Sequence, residues 1–226
     1  MATSGSVDYA LDARAAITAA IELVGSVAIG LTPDASTTDL AKKHANLLLK
    51  TWGAEERLWI RATASLALVA STASYSLPLA RRVLSARRRT SNVDTPIWMM
   101  SRDDYDSYPT KTATGYPFQA FFDPQRATRT LYVINVPDAT IAASTMLQYT
   151  YLRVIEDIDD LANDIDIPQE WLEAFVYSLA ARLLIPLAKW VSNPNGAAKI
   201  EERATALYAE LSSQDDEDAS VFFQPA

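Results

Sequence analysis

The sequence predicts an α+β protein: a helical body, made of an N-terminal helix pair plus two C-terminal helices, carrying a central antiparallel β-rich insert. Three observations predict it. Apolar residues recur at helical spacing near both ends of the chain. The stretch 75–125 has no helix-length apolar period and is punctuated by turn residues. Five arginines, Arg81, Arg82, Arg87, Arg88 and Arg89, fall within nine residues of that stretch. The implied divisions are 8–57 and 156–211 for the two parts of the body, 58–155 for the insert, and 212–226 for a flexible acidic and aromatic tail.

The totals narrow the chemistry. The chain has 226 residues and 49% hydrophobic content, enough for one body with an insert and a real core. It has no cysteine, which excludes disulfides, cysteine zinc sites and a thiol nucleophile. His44 is the only histidine. A His–His metal site within one chain is thereby excluded, as is any histidine triad that does not use His44. No cofactor is indicated. The formal charge of −8 is opposite in sign to that of a protein that grips nucleic acid with its whole surface. No apolar run reaches the roughly 20 residues of a membrane span. The N-terminus lacks a basic region followed by an apolar one, so no secretory signal is expected.

Asp8 can cap a first helix running to about residue 27, with Gly25 and Gly30 weakening its end. Pro33 and Asp34 make a turn. Ser36 or Thr38 can cap a second helix through residue 52, with Leu40, Ala41, His44, Leu47 and Leu48 as its core stripe, and Gly53 closes it. His44 reads as a packed or partly exposed helix residue, because no Ser, Asp or Cys signature supports a general-base role.

Residues 58–70 mix β-branched and aromatic types and lead into the insert, with a helix start to about residue 64 as the alternative. A small-residue hinge at 71–76 precedes a strand at 79–89. Simple alternation places Arg82, Leu84, Ala86 and Arg88 on one face and Arg81, Val83, Ser85, Arg87 and Arg89 on the other. Neither face is plainly apolar, so an exposed or interface strand is expected. Residues 97–100 are a short apolar piece. Ser101 with Asp104 forms a capping-box start for one helical turn that Pro109 stops. Strands follow at 116–122, 130–136 and 144–153, expected to form an antiparallel meander with 79–89.

Residues 156–166 are an acidic linker. A calcium loop is the sharper reading, but the run lacks the central glycine and the acid spacing such a loop needs. Pro168 opens a strong helix with Asp166 as a nearby cap, and Trp171, Leu172, Phe175, Leu179, Leu183 and Leu187 form its stripe. Pro186 should kink or end it. Asn193-Pro194-Asn195-Gly196 reads as a turn before a last helix at 197–211. Beyond the acidic segment 212–218, Val221, Phe222 and Phe223 either fold back on their own body or dock on a neighbouring subunit or partner.

The order YSLP, a basic strand, MSRDDYDSYPTKTATGYPFQAFFDPQ, LYVINVPD, YTYLR, an acidic stretch and IPQEWLEAFVYSLAARL resembles the head-to-tail adaptor proteins of tailed bacteriophages, also called tail accessory factors or packaged-DNA stabilisation proteins. The resemblance spans roughly residues 10–190. It is carried by Ser101, Tyr105, Pro109, Lys111, Gly115 and Pro117, and by Pro168, Glu170 and Trp171. It implies a structural virion protein at the head–tail junction, made in the host cytoplasm, with no turnover chemistry. Its copies, typically twelve, would form a ring beneath the portal protein. The ring would extend the channel, retain packaged double-stranded DNA without reading its sequence, and present a platform to the next tail or nozzle protein. C-terminal segments of the family reach the portal, which makes Val221, Phe222 and Phe223 a candidate docking tail.

The arginine strand then has two readings, a ring of charge facing DNA or an intersubunit ion-pair network with a neighbour's acids. Trp171, Leu172, Phe175 and Leu179 serve either the body or an intersubunit contact. The alternative function is another oligomeric neck or tail-completion component. A glycan hydrolase with paired carboxylates is the enzyme reading, drawn from Asp103, Asp104, Asp106, Glu170 and Glu173. In an acidic chain such carboxylates carry no specificity.

Overall fold

Asp12 starts the first helix, its carboxylate accepting from the Ala15 amide at 2.7 Å. The expected cap, Asp8, lies outside the residues that this computed structural model describes, which are Gly5 and 9–215. Chain contacts divide the protein into two units, Met1–Trp59 with Ile155–Ala226, and Ile60–Val154.

The first unit is helical. α1 (Ala13–Val24) ends at Gly25, which takes φ 73°, the left-handed conformation that closes a helix most readily without a Cβ. α2 (Ala35–Trp52) is capped by Asp34 rather than by Ser36 or Thr38. Asp34 accepts from the Thr37 amide at 2.9 Å and from the hydroxyls of Ser36 and Thr37. These bonds, led by that from Ser36, hold its carboxyl well below the usual carboxylate range. A 3-10 turn over Gln169–Trp171 leads into α5 (Leu172–Leu183), so Pro168 precedes the helix by one turn. Asp166 does not cap α5; its carboxylate accepts from the Glu156 amide at 2.9 Å. A short α6 (Lys189–Ser192) follows a break at the Pro186 region.

α7 (Pro194–Gln214) starts inside the expected turn. Asn193 caps it through the Gly196 amide, and Pro194 occupies the first turn, where its missing N–H costs nothing. The helix also continues past the expected end at residue 211. The core of the unit is layered on α5, where Ala174, Phe175, Leu179, Ala180 and Leu183 are all fully buried. α1 and α7 pack on α5 most extensively. Fully buried Ala16, Ala20, Ala174 and Ala180 leave no bulk at these positions, which permits close helix approach.

The second unit holds seven strands and two short helices. They are β1 (Arg61–Ala67), β2 (Ser74–Ser76), β3 (Ala80–Thr90), β4 (Val93–Met99), α3 (Arg102–Ser107), β5 (Gln119–Pro124), β6 (Arg129–Ile134), α4 (Ala139–Ser144) and β7 (Thr145–Arg153). The strand order is β1-β7-β3-β4-β5-β6-β2. This is not the expected meander. β7 inserts between β1 and β3, and β4 meets β5 in parallel at Trp98–Gln119 and Met99–Ala120. A parallel step needs a crossover, which α3 and the loop after it provide. The capping box at Ser101 and Asp104 forms as its spacing predicts. α4, which the sequence reading does not contain, fits between β6 and β7, capped by Asp138.

β3 is an inner strand, paired on both sides, rather than an exposed one. Its register slips at Arg81 and again at Leu84, where one extra residue enters the strand. The two bulges bring Ala80, Val83 and Ala86 to the same buried side, a spacing of three that plain alternation cannot produce. Val83 therefore leaves the face that alternation assigned it with Ser85. The core under the sheet gathers Leu68, Ala86, Ile97, Leu131, Val133 and Leu147.

Candidate functional site

The arginine strand carries its charge on a sheet face that is already partly neutralised. Register places Arg87 opposite Gln148 and Pro96, and Arg89 opposite Met146 and Asp94. Arg89 grips Asp94 with two hydrogen bonds of 2.6 and 2.7 Å. Arg87 donates to Gln148 at 3.0 Å and lies 3.2 Å from Asp94 Oδ2, an oxygen that Arg89 also contacts. The Arg89 bonds, with a smaller contribution from Arg87, hold the Asp94 carboxyl below its ordinary value. Two cations thus share one anion. Arg82 is exposed near the other end of the strand, and Arg81 stands at a bulge.

Arg88 points to the opposite face. It donates to the Pro117 carbonyl at 2.8 Å and lies 5.3 Å from the centroid of the Tyr116 ring. The five arginines are therefore not one patch. The same outer face as Arg87 and Arg89 carries Trp98, 72% exposed, and Met146, 45% exposed, with Pro96 between the charged and aromatic groups. The sequence reading missed this aromatic. The signal was available, because Trp98 follows buried Ile97 in a strand and must point the other way.

The motif residues after β4 hold a scaffold. Tyr105 stacks on Phe121 with ring centroids 5.1 Å apart, and Tyr132 lies 5.3 Å from Tyr105. Arg102 lies over Phe121, and Lys111 over Tyr105, each at 5.1 Å. Lys111 also donates to the carbonyls of Asp106 and Tyr108, satisfying the end of α3. A Cβ on Gly115 would come within 3.1 Å of the Asn135 side chain, so glycine lets the chain run close to the end of β6.

In the helical unit, Trp171, Leu172, Phe175 and Leu179 are all under 9% exposed and belong to the core of the unit. Trp52, Trp171, Phe175 and Tyr208 form one aromatic cluster with centroids 5.4 to 6.1 Å apart. Arg57, itself 8% exposed, lies over Trp171 and Tyr208. Its guanidinium donates to Glu55 and to the Tyr208 hydroxyl, and that hydroxyl donates to Glu55. Burial opposes the charge on Arg57, but Tyr208 and Glu55 more than offset it and raise its pKa. Beside this cluster a cleft of about 540 Å³ opens between α2, α5 and α7.

The acidic stretch 156–166 is tied down rather than free. α2 presents Lys42, Asn46 and Lys50 at intervals of four residues, one stripe of the helix. Lys42 donates to the Asp159 carbonyl, Asn46 exchanges two hydrogen bonds with Ile158, and Lys50 donates to the Ile155 carbonyl. Asp159 and Asp160 accept from nearby backbone amides. Among the described residues, no three His, Cys, Asp or Glu side chains are grouped to hold a metal ion. His44 is half-buried on α2. Val221, Phe222 and Phe223 lie outside the described residues.

Residues 13–224 match the model of the SU10 adaptor protein family. No curated protein matches the sequence. Among solved structures, a chain from the neck of an empty GTA particle, computed with C6 symmetry, aligns at TM-score 0.29 and 12% identity, over 73% of this chain and 74% of that one.

Proposed function

This chain belongs to the SU10 adaptor protein family, structural adaptors of the phage head–tail junction rather than enzymes, and on that premise we propose that it forms a ring beneath the portal. The ring would extend the DNA channel, retain the packaged genome and offer a platform to the next tail or nozzle protein. The observation that carries the reading is the extent of the family match, which takes in both units and nearly the whole chain.

The surfaces support assembly in general. A ring requires heterologous contacts, one patch of a copy meeting a different patch of the next. Trp98, Met146 and Val93 in the sheet unit, and Ile185, Trp190 and Val191 in the helical unit, are large apolar side chains left in solvent. Arg87, Arg89 and Asp94 beside Trp98 supply charges whose pattern can fix register against a neighbour. On this reading the arginine face is an intersubunit surface. A net charge of −8 suits a conduit, because phosphate then slides past walls that do not hold it. Twelve copies is the number proposed.

The test is an image of the protein mixed with its portal, or in its native particle. A closed ring coaxial with the portal channel is expected. Particles with no ring at that level would favour the second reading, a neck or tail-completion component at another position.

A further inference from the structure

We propose that Trp98, with Arg87 and Arg89 beside it, docks in the cleft between α1 and α2 of a neighbouring copy. The inference rests on the ring reading and adds to it a named contact.

Trp98 is an open aromatic on a fixed support. It is 72% exposed on β4, a strand paired on both sides, and its amide donates to the Phe118 carbonyl at 3.0 Å. Pairing sets Arg87 opposite Pro96 and Arg89 opposite Asp94, so the indole shares its face with two guanidiniums and one carboxylate. Exposed Met146 on β7 extends the apolar surface of that face. Tryptophan and arginine are the residues that most often carry the binding energy of a protein interface, and methionine is enriched there. Duplex DNA suits this face less well. It presents phosphates, which Asp94 repels and an indole does not bind.

The receiving cleft lies within the helical unit and has a volume of about 490 Å³, room enough for an indole. Leu31, Pro33 and Leu161 give it apolar walls, and Arg14, Glu22 and Asp39 line it as well. Asp34 and Asp160 each adjoin a lining residue, so acids outnumber the one arginine. The Glu22 carboxylate accepts from the Gly30 amide at 2.9 Å, and the Leu31 amide donates to the Ala28 carbonyl at 3.0 Å. These bonds fix the loop between α1 and α2, which holds Ile29 91% exposed and Leu31 61% exposed. Two large apolar side chains held out at the mouth of a cleft mark a surface that another chain covers.

A cation-flanked aromatic thus matches an acid-flanked apolar cleft, and one sequence carries both. Pairing two sheet faces instead would set Arg87 and Arg89 of each copy against the same cations of the other. The contact of aromatic with cleft is heterologous, as a closed ring requires. The cleft over α5 is the poorer receptor. Its Glu55 is already held by Arg57 and Tyr208, and Arg182 lines it, which leaves Glu201 to face two guanidiniums.

The chain has no cysteine, which permits a clean test. By the register of β3 and β4, exposed Ser85 stands next to Trp98, and exposed Thr32 lines the cleft. Full-length Ser85→Cys and Thr32→Cys chains are mixed, assembled on the portal and cross-linked with a short bismaleimide. A covalent pair containing one chain of each kind is expected. Adding Trp98→Ala to the Ser85→Cys chain should cut its yield roughly tenfold or more, from the lost burial of one indole. Adding Asp39→Lys to the Thr32→Cys chain should cut it several-fold at low salt and much less at high salt. An unchanged yield at low salt overturns the charge match. Thr205→Cys, on the wall of the cleft over α5, is the comparison; a mixed pair with that chain and none with Thr32→Cys overturns the choice of cleft. Cross-linking within a chain that carries both Ser85→Cys and Thr32→Cys, with none between singly substituted chains, overturns the contact between copies. Closed rings in the image without a mixed pair overturn the docking alone; no rings and no pair overturn the ring reading with it.

Discussion

The Arg57 guanidinium lies 5.2 Å from the centroid of the Tyr208 ring while it donates to the Tyr208 hydroxyl at 2.8 Å. One side chain thus uses both the face and the polar tip of the tyrosine, and with Glu55 and Trp171 it joins the chain just before the sheet unit to α5 and α7. Replacing Arg57 by Met should destabilise the full chain by about 3 kcal/mol, the order seen when one partner of a buried charged cluster is removed. Tyr208→Phe should cost about 1 kcal/mol, the lost hydrogen bond alone. Urea unfolding followed by tryptophan fluorescence checks both. A loss for Arg57→Met with none for Tyr208→Phe would mean the ring stacking, not the bonded cluster, carries the stability.

Val83 and Ser85 of β3 stand two residues apart, yet the bulge at Leu84 puts them on opposite faces. Val83→Ala should therefore cost about 2 kcal/mol for a buried side chain. Ser85→Ala should stay within about 0.5 kcal/mol. Thermal unfolding of the two variants is the measurement. Similar costs would mean that the strand follows plain alternation after all.

The bulges show where legibility stops. Local chemistry could be read directly: the capping box at Ser101 and Asp104 needs only spacing, and the buried stripe Trp171, Leu172, Phe175, Leu179 and Leu183 needs only the helical period. Register slips at Arg81 and Leu84 depend on pairing with β7, some 70 residues away, and leave no mark in the strand's own residues. The parallel β4–β5 step is equally non-local. Asn193-Pro194-Asn195-Gly196 failed differently. Its residues suit a turn and a helix start alike, and the long amphipathic run after it decides for the helix. Trp98 was legible from alternation past Ile97. The pinning of the acidic stretch by Lys42, Asn46 and Lys50 could have been read only by pairing two distant segments.

Asp34 binds the first turn of α2 through three donors on Ser36 and Thr37, and its pKa is depressed. A depressed carboxylate contributes stability that is complete above its unfolded value near 4 and fades as the pH falls below that value toward the folded one. Asp34→Asn keeps a cap but removes the titration. Its stability should then depend less on pH than the parent's between about pH 4 and pH 2. Denaturant midpoints at several pH values in that range compare the two. Parallel curves would mean the acid sensitivity arises elsewhere.

Asp94 serves two arginines, so its removal changes the sign balance of the outer sheet face more than its shape. With Arg87, Arg89 and Asp94 the local charge is +2 − 1 = +1, and Asp94→Asn makes it +2. The group is exposed, so the fold should tolerate the change. Binding of the full chain to double-stranded DNA at low salt should strengthen, and its dependence on salt should steepen by about one phosphate's worth of counterion release. Assembly should weaken at the same time, because a neighbour arranged against the parent face would meet an uncompensated cation. A mobility-shift titration across salt concentrations, run beside a ring-assembly assay on the portal, reads both effects. Tighter DNA binding with normal assembly would assign this face to the channel lining. Weaker assembly with little gain in DNA binding would assign it to the contact between copies, where Trp98 beside it already leaves an aromatic ring in solvent.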